Sequence, residues 1–238
     1  MRIEVWSDVV CPWCYIGKRR LETALSGFEH GDEVEVVWHS FQLDPTAPRD
    51  GGGETVAAHL AARYGMSEQQ AHEMQQRVTD LAAAEGMTWN HHASPYVNTV
   101  DAHRLLHFAG HVGGPALAAA LKERLLEAYF VHARNVADHG VLAELAVAEG
   151  LDPQRVDDVL ASDEFADEVA ADRAQAQAYG ATGVPFFVLD GRYGISGAQP
   201  TEVFAQAIAQ AWNESHPVLA TLGGDAADGA CGPEGCAL

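Results

Sequence analysis

Basic side chains are scarce in this chain: 14 Lys and Arg stand against 34 Asp and Glu over 238 residues, a formal net charge of −20. So acidic a surface repels phosphate backbones and anionic headgroups, which argues against nucleic acid and membranes as partners. Long apolar runs are missing too, none reaching the roughly 18 to 20 residues that span a bilayer. Cys11 lies too close to Met1 for a secretion signal to precede it, so a cytoplasmic location is expected. Cysteine is sparse, at four residues, which is too few for a disulfide scaffold. The four form two close pairs at opposite ends, Cys11 with Cys14 and Cys231 with Cys236, and such pairs point to redox chemistry or metal binding. No internal repeat is visible. The 47% of hydrophobic residues is ordinary for a soluble globular chain and sufficient for a sizeable core.

The order of elements follows from hydrophobic periodicity and punctuation. Arg2 to Ser7 reads as a strand, and a helix carrying Ile16, Leu21, Ala24 and Leu25 runs from the first cysteine pair toward Gly27. Glu33 to Phe41 reads as a second strand, which gives the strand-helix-strand unit that builds a parallel pair. Pro45, Pro48 and Gly51 to Gly53 then break the pattern. From about Glu54 to Gly180 every periodicity is helical. Ser67 with Gln70 predicts a capping box ahead of Met74, Val78 and Leu81. Asn98 predicts a cap ahead of Leu105 and Leu106. Gly114-Pro115 opens a helix with Leu117, Leu121, Leu125 and Phe130 inward, and Asp152-Pro153 opens another. Gly150 and Gly180 sit where C-terminal caps belong. Beyond Gly183, two short strands flank Asp190-Gly191, a strong hairpin signal. A final helix from about Pro200 to Trp212 places Val203, Phe204, Ala207, Ile208 and Ala211 on one face. Past Pro217 the composition turns to Gly, Ala and Asp and predicts a mobile tail. With the helical block set aside, the remainder is an α/β layer whose sheet has a parallel half and an antiparallel half.

Cys11 and Cys14 stand three apart at the first strand-to-helix junction, in Asp8-Val9-Val10-Cys11-Pro12-Trp13-Cys14-Tyr15. Pro12 suits the first helical turn, where its missing N–H costs nothing. Cys11 then sits at the helix N-terminus, where unpaired N–H groups and the positive end of the helix dipole favour a thiolate. Cys14, a turn further in, is expected to be more buried and to resolve a mixed disulfide by attacking Cys11. Lys18 and Arg19 add positive charge to the same helix. The spacing alone also fits half a zinc site.

Together these motifs resemble the DsbA-like thioredoxin-fold oxidoreductases, and among them the FrnE-like branch. The resemblance spans essentially the whole chain, through Ser7-Asp8 with Cys11-Pro12-Trp13-Cys14-Tyr15, Phe41-Gln42-Leu43-Asp44-Pro45, Asn98-Thr99 with Ala102-His103-Arg104, and Gly183-Val184-Pro185-Phe186-Phe187. It implies a thioredoxin fold (βαβ plus ββα) with a large all-helical insertion. Residues 1–45 and 181–218 would form the two parts of the thioredoxin-like domain, 46–180 the insertion and 219–238 the tail. It further implies a cis Pro185 facing the cysteine pair, with the Val184 backbone pairing with an incoming extended polypeptide beside Pro12 and Trp13. The implied activity is protein disulfide reduction, isomerisation or oxidation on protein thiols, with no organic cofactor and with a small thiol such as glutathione as a candidate reductant. Pro12-Trp13 lacks the histidine of strongly oxidising members, and a reducing cytoplasm favours reductase or isomerase activity.

Two other readings stand beside this one. Sister groups of similar architecture, the 2-hydroxychromene-2-carboxylate isomerases and kappa-class glutathione transferases, act on small molecules through glutathione, but generally lack the second cysteine. Alternatively the four cysteines bind zinc, or the protein holds unfolded chains. Cys231 and Cys236 enclose turn residues, and the roughly 14 residues after Pro217 can span about 45 Å, enough to return to Cys11 and relay a disulfide. Several polar residues read as structural in the first instance. His91 and His92 are adjacent, make a poor chelate and are expected at the surface. His103 and Arg104 suit helix packing as well as a groove lining. Asp8 suits loop hydrogen bonding as well as accepting the Cys14 proton, and His39 has the same ambiguity. Ala174 to Tyr179 is expected in the core.

Overall fold

The computed structural model describes residues 1–51 and 53–217. The strands are β1 (Arg2–Ser7), β2 (Glu35–Ser40), β3 (Phe186–Leu189) and β4 (Tyr193–Ser196). The helices are α1 (Pro12–Ser26), α2 (Val56–Tyr64), α3 (Glu68–Ala84), α4 (Val100–Phe130), α5 (His139–Ala148), α6 (Pro153–Leu160), α7 (Ala166–Ala178) and α8 (Thr201–Ser215). The sheet order is β2-β1-β3-β4. β1 and β2 are parallel, with Val5 opposite Trp38, whereas β1–β3 and β3–β4 are antiparallel. This is a thioredoxin fold with a helical insertion between β2 and β3, the plan expected from the order of elements.

β1 lies between β2 and β3, and its three apolar residues Ile3, Val5 and Trp6 are fully buried. Ile3 and Val5 pack with Leu21 and Ala24 of α1 and with Phe204, Ile208 and Ala211 of α8. On the opposite face Trp6 joins Phe186, Val188 and Ala176 of α7. Burying each such large side chain is worth about 1.5 to 3 kcal/mol, so the strand that leads into the first cysteine pair is held firmly. α1 also has a second buried side: Tyr15 and Ile16 enter the core of the helical insertion beside Trp89, Leu105, Leu121, Leu125 and Phe130. The helix is thus wedged between sheet and insertion.

Local signals were realised with some shifts. Ser67 and Gln70 form the capping box, but on α3 the buried positions are Ala71, Gln75 and Ala82, while Leu81 is exposed. The apolar stripe of α3 is therefore rotated by one position from the one its largest residues suggest. Asn98 is not the cap of α4, which is Thr99. Instead its buried amide donates to the Pro45 and Ala47 carbonyls, while its Oδ1 accepts from Val100 N and Gln42 Nε2. Only Ala176 is buried within Ala174 to Tyr179, because α7 turns Val169, Asp172 and Ala176 inward and the rest of that stretch to solvent. The hairpin turn at Asp190 and Gly191 has positive φ at both residues, and Leu189 pairs with Tyr193, so Arg192 is an extra residue before the ladder resumes.

His91 also departs from expectation. It is only 4% exposed, packed against Trp89 and Phe130, and its Nδ1 has no hydrogen-bond partner, whereas His92 faces outward to Gln76 and His72. Burial, with a smaller contribution from His92, pushes the His91 imidazolium pKa down to about 4. Adjacent residues point in different directions, as expected, but one of those directions is the core.

Two outcomes test this packing. α4 is broken at Gly114, whose φ of 70° and ψ of −171° are accessible essentially to glycine alone, while a Cβ there would meet nothing within 4 Å. Gly114→Ala therefore isolates backbone strain and should cost about 1 to 3 kcal/mol in denaturant unfolding. No loss would contradict the break. For His91 the folded state favours the neutral ring, so its contribution is complete above the unfolded pKa near 6.5 and is lost as pH falls toward about 4. The loss amounts to about 3 kcal/mol at about 1.4 kcal/mol per unit. Stability measured across that window should be flatter in His91→Phe than in the parent, and equal slopes would show that His91 is solvated.

Candidate active site at the β1–α1 junction

The chain leaves β1 at Ser7, turns through Asp8 to Val10, and enters α1 with Cys11 as N-cap and Pro12 in the first turn. Cys11 keeps an extended backbone (φ −89°, ψ 114°), and its carbonyl accepts from Cys14 N at 3.0 Å and Tyr15 N at 3.3 Å. Its sulfur thus sits at the positive end of the helix. Both cysteines carry free thiols. Cys11 is 4% exposed and Cys14 1%. The Cys14 thiol is pushed well above the ordinary range by burial, and further by its hydrogen bond to the Cys11 sulfur and by charge on Cys11, against opposing effects of Lys122 and the Asp8 N–H. Cys14 therefore holds its proton and donates toward Cys11.

Val184 and Pro185 close the site from the other half of the sheet. Their peptide bond is cis, and Cys11 Sγ lies 3.7 Å from the Val184 carbonyl oxygen as donor. The Pro185 carbonyl is taken by Gly197 N at 2.8 Å, whereas among the described residues the Val184 N–H has no partner. A Cβ on Gly17 would come within 3.1 Å of Pro185 Cγ and 3.2 Å of Phe187 Cζ, so the absence of a side chain there lets α1 approach the proline loop. Pro12 is half-buried and Trp13 is 40% exposed on the rim. The residues expected at the first site thus converge. Cys231 and Cys236 lie outside the described residues.

Beneath the cysteine loop lies a fully buried Asp8. Its Oδ1 accepts from Val9 N at 2.7 Å and from His103 Nε2 at 3.1 Å, and its Oδ2 from Leu43 N at 2.8 Å. Burial pushes its carboxyl pKa up, but the His103 bond and charge, the Leu43 N–H and Lys122 outweigh that and hold the group below the usual carboxylate range. Burial likewise pushes the His103 pKa down, so His103 is a neutral donor to an ionised Asp8. Of the two readings of Asp8, the structure realises the hydrogen-bonding one.

The other polar residues singled out in the sequence make packing contacts. Arg104 donates to Asp101 Oδ1 at 2.7 Å and to the carbonyls of Val159, Ser162 and Glu164, which fastens α4 to the end of α6. His39 Nδ1 lies 2.7 Å from Asp172 Oδ1, its ring stacks on Trp6, and Asp172 also takes Ser40 N and pairs with His107 at 3.0 Å. That group fixes α7 to the sheet. Lys18 and Arg19 do not bring free positive charge to the sulfurs, because both pair with Glu22 and Glu123. One residue of the site was missed: Lys122 of α4 is wholly buried, with Nζ 3.3 Å from the Ser7 carbonyl and 5.5 Å from the centre of the Trp38 ring. The signal was present, since Lys122 interrupts the otherwise inward-facing line of Ala118, Leu121, Leu125, Leu126 and Tyr129.

Among the described residues no helix is long and apolar enough to cross a membrane, and no three His, Cys, Asp or Glu side chains converge as a metal site. The chain is similar to a Streptomyces coelicolor protein described as a probable DsbA oxidoreductase, at 47% identity and a TM-score of 0.85 over 100% of this chain and 99% of that one. It is 30% identical to the uncharacterised YwbO protein of Bacillus subtilis over 87% of this chain and 96% of that protein. The cytosolic disulfide reductase DsbM of Pseudomonas aeruginosa, solved with GSH, shares the fold at 20% identity and a TM-score of 0.61, covering 88% and 98% of the two chains. The model of the DSBA-like thioredoxin domain matches residues 2–209, and this chain belongs to that family.

Proposed function

We propose that the protein is a thiol–disulfide oxidoreductase that acts on cysteines of polypeptides through Cys11 and Cys14. The observation that carries this reading is the asymmetry of the pair: one sulfur at a helix N-terminus beside the free Val184 N–H, the other buried and protonated behind it. In the reducing direction the Cys11 thiolate attacks a substrate disulfide, forming a mixed disulfide and expelling one substrate thiolate. Cys14 then attacks Cys11 Sγ, the Cys11–substrate bond breaks, the second thiolate leaves with the electron pair and takes up a proton, and Cys11–Cys14 closes as a disulfide. The reverse sequence oxidises a dithiol.

Polypeptide substrates are favoured by the rim. Trp13 and Leu43 are large apolar side chains left 40% and 46% exposed beside the cysteine loop, and the Val184 backbone offers strand-like pairing. Glutathione fits the role of reductant for the resulting disulfide, in a cytoplasmic setting where reduction or isomerisation is the net direction. The Cys231–Cys236 pair extends the reading as a relay to the first pair.

Cys11→Ser should abolish turnover with disulfide-bonded and scrambled model proteins. Cys14→Ser should instead accumulate covalent adducts between Cys11 and substrate, seen as mass shifts that reductant removes. Wild-type turnover in Cys11→Ser, or no adduct in Cys14→Ser, would refute the assignment. Reduction of a disulfide-bonded protein at least tenfold faster than of glutathione disulfide is expected for a polypeptide substrate. The opposite ratio would move the reading to a small-molecule enzyme.

A further inference from the structure

Lys122 is a basic residue buried in the interior. Its side chain is 0% exposed, yet among the described residues no carboxylate lies at ion-pair distance, and the Ser7 carbonyl at 3.3 Å is its one hydrogen-bond acceptor. An ammonium held this way costs several kcal/mol of lost hydration unless neighbouring negative charge offsets it. Negative charge on Asp8, or on Cys14 or Cys11 when either ionises, favours its protonated form, with Lys18 opposing. The influence is mutual, since Lys122 in turn lowers the pKa of Cys14. Asp8 is poorly suited to take up the Cys14 proton, because both of its oxygens are engaged by Val9, Leu43 and His103.

We propose that Lys122 is a positioning residue for the resolving half of the exchange: its ammonium, supplied by the inserted helices, stabilises the Cys14 thiolate that forms as a mixed disulfide is released. This rests on the exchange proposed for Cys11 and Cys14. In the step concerned, Cys14 gives up its S–H proton and attacks Cys11 Sγ. The sulfur–sulfur bond between the two cysteines forms, the Cys11–substrate bond breaks, and the departing substrate thiolate takes up a proton, so no net proton is gained or lost. The first attack, by Cys11 at the helix N-terminus, depends on Lys122 far less.

The charged and titratable groups around the amine come from three directions. α1 and its preceding loop bring Asp8, Cys11, Cys14 and Lys18, and α4 itself brings His103. A cleft of about 280 Å³ beside Lys122 adds His107 and His111 of α4, His39 of β2 and Asp172 of α7. Burial pushes the Lys122 pKa down to about 8, so its charge is present at neutral pH.

The test is single-turnover reaction of the full-length reduced protein with a chromogenic aryl disulfide, which separates attack by Cys11 from release by Cys14. In Lys122→Met the first phase should stay within about twofold of wild type and the second should slow at least tenfold, with a midpoint of unfolding that is not lowered. An unchanged second phase, or equal slowing of both phases, would overturn the proposal. A wild-type pH profile tests it independently of how the variant folds. The form with Lys122 charged and Cys14 ionised has lost one proton, so the second-phase rate should climb tenfold per pH unit and level off near pH 8. A rise that continues well beyond pH 8 would overturn it as well. Cys14→Ser serves as reference: release as fast as wild type in that variant would refute the exchange itself rather than the role of Lys122.

Discussion

A carboxylate with no exposed surface is stable only where hydrogen bonds replace the water it has lost, and Asp8 meets that condition with three donors from three parts of the chain. Val9 belongs to the cysteine loop, Leu43 to the segment after β2, and His103 to the inserted α4. The ionised group therefore ties the loop that carries Cys11 to both the sheet and the insertion. Because an unpaired buried donor costs about 1 to 3 kcal/mol, none of the three can let go cheaply, and the loop is held against movement of either layer. Gly17 completes the constraint from the other side by allowing α1 to lie close to Pro185.

Within that frame the two sulfurs are chemically unequal although only two residues separate them. Cys11 stands at the helix N-terminus, while burial disfavours charge on Cys14, whose hydrogen bond to the Cys11 sulfur further penalises its ionisation. The exposed Trp13 between them adds apolar surface beside the pair. Among the described residues the Val184 N–H has no partner, and the carbonyl of the same residue faces Cys11.

Much of this was legible in the sequence because it is local. The Cys11-Pro12 helix start, the Ser67–Gln70 box, the Gly114-Pro115 break and the Asp190-Gly191 hairpin each depend on a few adjacent residues whose conformational preferences are strong. The order of strands and helices followed from periodicity, and the family resemblance supplied the pairing of sheet halves. What stayed hidden depends on tertiary contact. Nothing beside His91 announces that it, rather than a neighbouring apolar residue, fills the gap between Trp89 and Phe130. The rotation of α3 that exposes Leu81 is decided by what α3 packs on, and the Leu43 and His103 partners of Asp8, like those of Asp172, lie far away in sequence. Lys122 was the one hidden residue with a local signal, a charge in an apolar stripe.

The separation of those partners has a consequence for how the protein is made. Positions 8, 43, 103, 122 and 184 all bear on the Cys11 site, so no fragment shorter than about three-quarters of the chain contains it. β1, α1 and β2 emerge from the ribosome first, but β1 lacks its β3 neighbour until the whole insertion has been synthesised. Contacts so distant along the chain form late, after the entropy of closing long loops has been spent. Until then the loop that carries Cys11 and Cys14 lacks the contacts from Leu43, His103, Lys122 and Val184 that surround it in the folded chain.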